Sequence, residues 1–392
     1  MRGDRAEGRN QGEKPLEGSS QEIGLRQVVF RHGGSEAVAE ELVTYLGKRN
    51  LDAAPRLDSS WPPEEEPHVD WWRQLLGGEE PIGPVSRSVW EDLQEAFPQL
   101  RFPVLRGLSE TAVYRAAVRR GQASEGATSH LELRSREGLE VRLLATAAGQ
   151  LPVLVAEERE DFEALFQVLT ARNEPVEVPA SLGACLVSGI VNWRRVRRYR
   201  QDWESRQGST FLLHAGWELE MAKLRQNKQL YQDRFLLLSR GAYSGLDATE
   251  VGMGEAQWLE ASLRIRQEHE AAHYLLQRSY PGQVPQIVDE VLADLAGIVE
   301  VFGSYRTELA LRFLGLEAFP DYRSGGRLEN YLGDPALSPA AFEILQGLVF
   351  EAIIALGRQA EEEPEILRDP ERRARRIVQW GALGLHQLGG GI

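Results

Sequence analysis

The sequence predicts an α+β protein: a mixed α/β first half, then a mainly helical second half with a small sheet. Apolar–polar alternation of period two is concentrated before residue 180, and apolar spacing of period 3.6 dominates after it. No Gly-rich phosphate loop or nucleophile elbow marks the first half, so a doubly wound nucleotide-binding or hydrolase sheet is not expected.

Residues 1–24 are charged and Gly-rich without hydrophobic period, which reads as a flexible tail. RQVVF (26–30) suits a short strand. SEAVAEELVTYLGKR follows as a helix with Ser35 as N-cap. Residues 52–68 hold prolines and an acidic run and read as loop. Ser86 and Ser88, then Ser109, open two further helices. HLELRS (130–135) and LEVRLLATA (139–147) alternate across REG as a hairpin, with LPVLVAE (151–157) as a third strand. EDFEALFQVLTARN (160–173) is helical, and the first domain, 25–179, ends near Pro179.

The second domain, 180–392, begins with helices at 191–203 and 217–231. DRFLLLS (233–239) is a strand closed by RGAYSGL. Helices are expected over roughly 254–280, 284–301, 304–315, 338–360 and 368–388.

With 45 basic and 59 acidic residues the formal charge is −14, a surface that repels phosphate backbones. Nucleic acid is therefore not the expected partner. The single cysteine, Cys185, excludes an intrachain disulfide framework and reads as buried packing. No stretch of 18 uninterrupted apolar residues occurs, so no membrane partner is expected and a soluble, cytoplasmic protein is.

RIRQEHEAAHYLLQ carries the chemistry. His269, Glu270 and His273 form H-E-x-x-H; with 7 histidines in 392 residues, chance supplies roughly 0.01 such matches per chain. Residues four apart on a helix differ by about 40°, so both imidazoles project from one face and can chelate one Zn²⁺. Glu270 points about 100° further round, an offset suited to a base taking a proton from a metal-activated water. Trp258, Ser262, Ile265, Ala272 and Leu276 share the histidine face, which places the pair at the edge of the core. On the next helix Glu290 and Asp294 fall one turn apart beside Ala293 and Gly297, small residues that admit a close helix contact. Buried carboxylates there need a cation or donors.

His269-Glu270-x-x-His273 followed by Glu290-x-x-x-Asp294 resembles the gluzincin metallopeptidases, the class of thermolysin and the zinc aminopeptidases. The resemblance covers about 45 residues. It implies a zincin-like catalytic half, Glu290 as third zinc ligand, and Asp294 as the carboxylate that orients His269. The interval from His273 to Glu290 is slightly shorter than in the best-known members, which leaves Asp289 and Asp294 open as alternative ligands. PASLGACLVSGIVNW and GGRLENYL resemble an uncharacterised bacterial family, which implies no activity.

The only histidine after His273 is His386, so oxyanion stabilisation falls to tyrosine or arginine. The candidates are Tyr305 and Arg306 in GSYRTE and Tyr322, Arg323, Arg327 and Tyr331 in DYRSGGRLENY, with Tyr305, Arg327 and Tyr331 foremost. RFLLLSRGAYSGL is placed to supply an edge strand for pairing with an extended substrate. WRRVRRYR packs five arginines and reads as a surface helix paired with acids.

The expectation is a zinc-dependent hydrolase of a peptide or amide bond with Glu270 as general base. Two alternatives are a metalloenzyme acting on a non-peptide amide or modified natural product, and a binding or regulatory protein with a structural zinc.

Overall fold

The computed structural model describes residues 20–47, 61–77, 85–122, 130–180, 182–207, 213–281 and 287–390. The chain is α+β, with one four-stranded sheet in the order β1-β2-β4-β3. Its strands are β1 (Glu140–Thr146), β2 (Gly149–Ala156), β3 (Ala184–Val191) and β4 (Gln232–Ser239). β1 and β3 pair antiparallel with β2 and β4 respectively, and β2 runs parallel to β4. The boundary expected near Pro179 thus falls between strands of one sheet.

Helices α1 (Ser20–Arg31), α2 (Glu36–Leu46), α3 (Val69–Leu75), α4 (Arg87–Ala96) and the single turn α5 (Ala112–Tyr114) precede the sheet. α6 (Arg159–Thr170) follows β2, and α7 (Trp193–Arg206) and α8 (Leu213–Leu224) separate β3 from β4. The remainder is helical: α9 (Glu255–Ser279), α10 (Ile287–Phe302), α11 (Thr307–Leu314), α12 (Pro339–Glu362), α13 (Pro364–Arg368), α14 (Pro370–Gly381) and α15 (Leu385–Gly389).

Alternation along β4 assigns the two faces. Phe235 and Leu237 enter a core with Trp72, Phe97 and Phe162, whereas Leu236 and Leu238 enter a larger core built on α9, α10 and α12. Buried on both sides, β4 is an interior strand, and β3 is the outer one. The expected edge strand is therefore corrected: β3 holds that place.

Several local expectations also change. RQVVF lies inside α1, where Leu25 and Val29, one turn apart, are buried in the larger core with Leu42. Residues 20–24 of the expected tail open that helix; residues 1–19, and 52–60 of the expected loop, lie outside the described residues. HLELRS is no strand, because the Asp161 carboxylate accepts the backbone N–H of Arg134 at 2.6 Å and of Ser135 at 2.8 Å. The hairpin partners are β1 and β2, turned at Ala147 and Ala148 with Gly149 at φ 101°. ACLVSGIV forms β3, with a register shift between Ser188 and Ile190 and Gly189 at φ 75°. The helix expected over 368–388 breaks into α14 and α15, with Pro370 opening α14 and Asp369 capping it.

Ser35 and Ser86 cap α2 and α4 as read from sequence. The arginines of α7 meet acids: Arg200 bonds Glu204 at 2.7 Å, and buried Arg195 bonds Asp233 at 2.6 Å. α12 is long and apolar enough to cross a bilayer by length and composition, but Leu345, Leu348, Val349, Ile353 and Leu356 on it are packed inside the larger core.

α9 and α10 carry the candidate site and pack at close range. A Cβ added at Gly297 would stand 2.8 Å from the carbonyl oxygen of Ile265, so a larger residue there separates the two helices.

Candidate metal centre

α9 turns Arg266, His269, Glu270, His273 and Gln277 toward one cleft, the stripe its helical spacing dictates. Opposite lie Glu290 of α10, Tyr243 from the turn after β4, and Arg327, Asn330 and Tyr331 from a 3₁₀ turn (Arg327–Tyr331). Leu182 to Leu186, at the start of β3, close the side.

Three donor atoms converge. His269 Nε2 is 3.0 Å from His273 Nε2 and 3.6 Å from Glu290 Oε2, and His273 Nε2 is 3.5 Å from that oxygen. Ligands about 2.0–2.1 Å from a tetrahedral zinc are spaced by about 3.3 Å, so the triangle has the size of one face of that tetrahedron. The donor chemistry fits as well. Asp294 Oδ1 lies 3.1 Å from His269 Nδ1 and accepts the Tyr243 hydroxyl at 2.8 Å. As a carboxylate it holds the proton of Nδ1–H, which leaves Nε2 as the nitrogen that gives up its proton when a metal ion binds. Two imidazole nitrogens and a carboxylate oxygen facing one another favour positive charge between them, a shared proton or a metal ion.

The electrostatics say the same. Burial lowers the basicity of His269, yet Glu290 and Asp294 outweigh it and raise its pKa to about 10. For Glu290, burial is overcome by Arg327 and His269, which hold its carboxyl well below the usual range. Arg327 Nη2 bridges Asp294 Oδ2 at 2.5 Å and Glu290 Oε1 at 2.9 Å. Tyr331 donates to Glu290 Oε2 at 2.5 Å, and burial keeps both Tyr331 and Tyr243 protonated.

His269, Glu270, His273 and Glu290 thus meet in one cleft, with Asp294 behind His269. Of the alternative ligands, Asp294 faces His269 Nδ1 and Arg327, and Asp289 is outside the converging group. Among the oxyanion candidates, Tyr331 lines the cleft. Arg327 lines it too, but its guanidinium is held on the two carboxylates. Tyr305 is absent from the lining; its hydroxyl is enclosed without a hydrogen-bond partner. Tyr322 bonds the Gly326 carbonyl, Arg323 bonds Glu317, and Arg306 covers the Phe302 ring, so all three serve their own loops. Cys185 lines the cleft, and burial, with Glu270 nearby, pushes its thiol up to about 12, a packing group and not a thiolate.

Tyr243 and the β3 wall are missing from the sequence reading. Nothing near Tyr243 in sequence signals a partner on α10, and the glycine and serine of β3 conceal a strand. Arg266 is missing from that reading too, although its place one turn before Glu270 on the same stripe is a signal that could have marked it.

A protein-family model described as a family of unknown function (DUF7005) matches residues 27–390. No curated protein and no solved structure matches the chain.

Proposed function

The chain belongs to DUF7005, a family whose function is unknown, and within it we propose that this protein is a zinc-dependent hydrolase of peptide or amide bonds. One observation carries the reading: the donor atoms of His269, His273 and Glu290 lie 3.0–3.6 Å apart with Glu270 in the same cleft. His269, His273 and Glu290 would hold the ion. When bound, it supplies Lewis acidity and lowers the pKa of its water from about 15.7 toward about 7.

The chain's own groups do the rest. Glu270, which makes no hydrogen bond or ion pair among the described residues, accepts the proton of the attacking water and passes it to the leaving nitrogen. Asp294 keeps the proton of His269 on Nδ1, and Arg327 fixes Glu290 and Asp294 relative to each other. Tyr331, protonated and on the cleft wall, is the donor for the developing oxyanion once its hydroxyl turns from Glu290 Oε2, where it donates in the resting site. β3 is an outer strand whose first residues line the cleft, a surface suited to an extended main chain.

A closed structural zinc needs a fourth protein ligand, and Asp294, the other carboxylate in contact with His269, is engaged by His269, Tyr243 and Arg327. A non-peptide amide fits the same chemistry and is separated from a peptide only by substrate profiling. The test is hydrolysis of a panel of internally quenched peptides and small amides by the zinc-loaded protein and by Glu270→Gln. Cleavage that disappears in the variant supports the reading. A fully zinc-loaded protein inert toward the whole panel contradicts it.

A further inference from the structure

Four arginines are buried among the described residues: Arg195, Arg266, Arg327 and Arg373. Three have carboxylates. Arg195 pairs with Asp233, Arg373 with Glu300, and Arg327 with Glu290 and Asp294. Arg266, only 4% exposed, has none among the described residues. Its guanidinium donates to the carbonyls of Ser239 at 3.3 Å, Gly241, and Ala242 at 2.7 Å, and lies 5.6 Å from the Tyr243 ring centre.

The surroundings add no counter-charge in contact. Burial, with repulsion from Arg327 and Arg159, pushes the Arg266 pKa down to about 10, and Glu270 opposes this only through space. The group is still a cation at neutral pH. A buried charge without a partner costs several kcal/mol, a cost relieved when a ligand brings the opposite charge. The way in is from the cleft, whose wall Arg266 lines beside Gly183. Gly183, one residue before β3, packs against the guanidinium: a Cβ there would stand 2.5 Å from the Arg266 Nε, so only glycine lets the group keep its place on that wall.

Position gives the length of the ligand. Arg266 stands at one end of the cleft stripe of α9 and Gln277 at the other, about 16 Å apart along the axis. From Arg266 to the level of the histidine pair is roughly 7 Å, about two residues of extended chain.

We infer that Arg266 receives a carboxylate of the substrate, so that the cleft selects short peptides or amides bearing an anion about two residues from the bond cut. The guanidinium fork matches a carboxylate in shape as well as charge. This inference rests on the metal-hydrolase reading and names its substrate class. The carboxylate is either the chain terminus or an acidic side chain.

The test uses the zinc-loaded full chain and three zinc-chelating hydroxamates of one capped dipeptide scaffold. One has a free C-terminal carboxylate, one a C-terminal carboxamide, and one a carboxamide with a glutamate side chain; binding is followed by calorimetry. A carboxylate probe should bind about tenfold or more tightly than the carboxamide. Whichever acidic probe shows the gain identifies the source. Arg266→Met should abolish the preference, bringing the carboxylate and carboxamide probes to equal affinity. Gly183→Ala, which displaces the guanidinium without removing it, should reduce the preference and carries the test if Arg266→Met does not fold. Equal binding of all three probes, or a preference that survives both substitutions, overturns the role of Arg266 and leaves the metal reading standing. Failure of every probe to bind overturns the metal reading and this inference with it.

Discussion

Asp294 Oδ1 and His269 Nδ1 stand 3.1 Å apart, joining carboxylate and imidazole across the contact of α10 with α9. The aspartate is saturated: Tyr243 donates to Oδ1 at 2.8 Å, and Arg327 holds Oδ2 at 2.5 Å. A buried histidine is thereby fixed in rotation, its Nδ1–H on the carboxylate and its Nε2 turned to the other donors, before any ligand arrives, which is the preorganisation a metal site requires.

Asp294→Asn keeps the shape and an acceptor for Nδ1–H but removes the charge. Zinc affinity, measured by competition with a chromophoric chelator, should fall by about 10–100-fold. Unchanged affinity would show that this hydrogen bond does not serve the site.

Glu270 is on the cleft wall and outside every ion pair among the described residues, so Glu270→Gln should change stability by no more than about 0.5 kcal/mol. Zinc content should stay at the wild-type value while turnover drops by about 10²–10⁴-fold. Elemental analysis and kinetics on the same sample check both halves; normal turnover rejects Glu270 as the base.

Gly297→Ala tests the helix contact itself. The added methyl meets the Ile265 carbonyl at 2.8 Å and its Cγ2 at 2.9 Å, contacts that push α10 from α9. Urea unfolding should show a loss of about 1–3 kcal/mol, with weaker zinc binding because Glu290 moves with α10. A variant as stable as wild type would mean the helices adjust at no cost.

Acid sensitivity should come in part from His68. It is buried, its Nε2 lacks a partner among the described residues, and burial pushes its pKa down to about 4. As pH falls below the ordinary value near 6.5, the unfolded chain takes up the proton first, so stability declines down to about pH 4. The full decline is about 3 kcal/mol, and His68→Gln should flatten it. Equal pH slopes for the two proteins, measured by urea titration between pH 7 and pH 4.5, would remove His68 from the account.

What the sequence revealed follows from range. The His269–Glu270–His273 spacing and the Glu290–Asp294 turn are local to single helices, and helical geometry projects them correctly. The small residue Gly297 likewise announced a close helix contact. Tyr243 and Arg327 reach Asp294 from segments 51 and 33 residues away, and no periodicity encodes such a meeting. Strand assignment failed where tertiary contacts decide. Val28 and Val29 favour strand in isolation, but Val29 pairs with Leu25 on a helical stripe against the core. HLELRS alternates well, and its backbone donors are taken by Asp161. β3 was hidden because Gly189 accommodates a bulge, and the parallel pairing of β2 with β4 brings together segments no local pattern connects.

The central claim is that His269, His273 and Glu290 grip one metal ion, and zinc stoichiometry tests it most directly. Protein purified without chelator should carry one zinc per chain by elemental analysis, and Glu290→Ala prepared alongside should lose it. A wild-type protein without stoichiometric metal, or zinc retained in full by Glu290→Ala, would contradict the account.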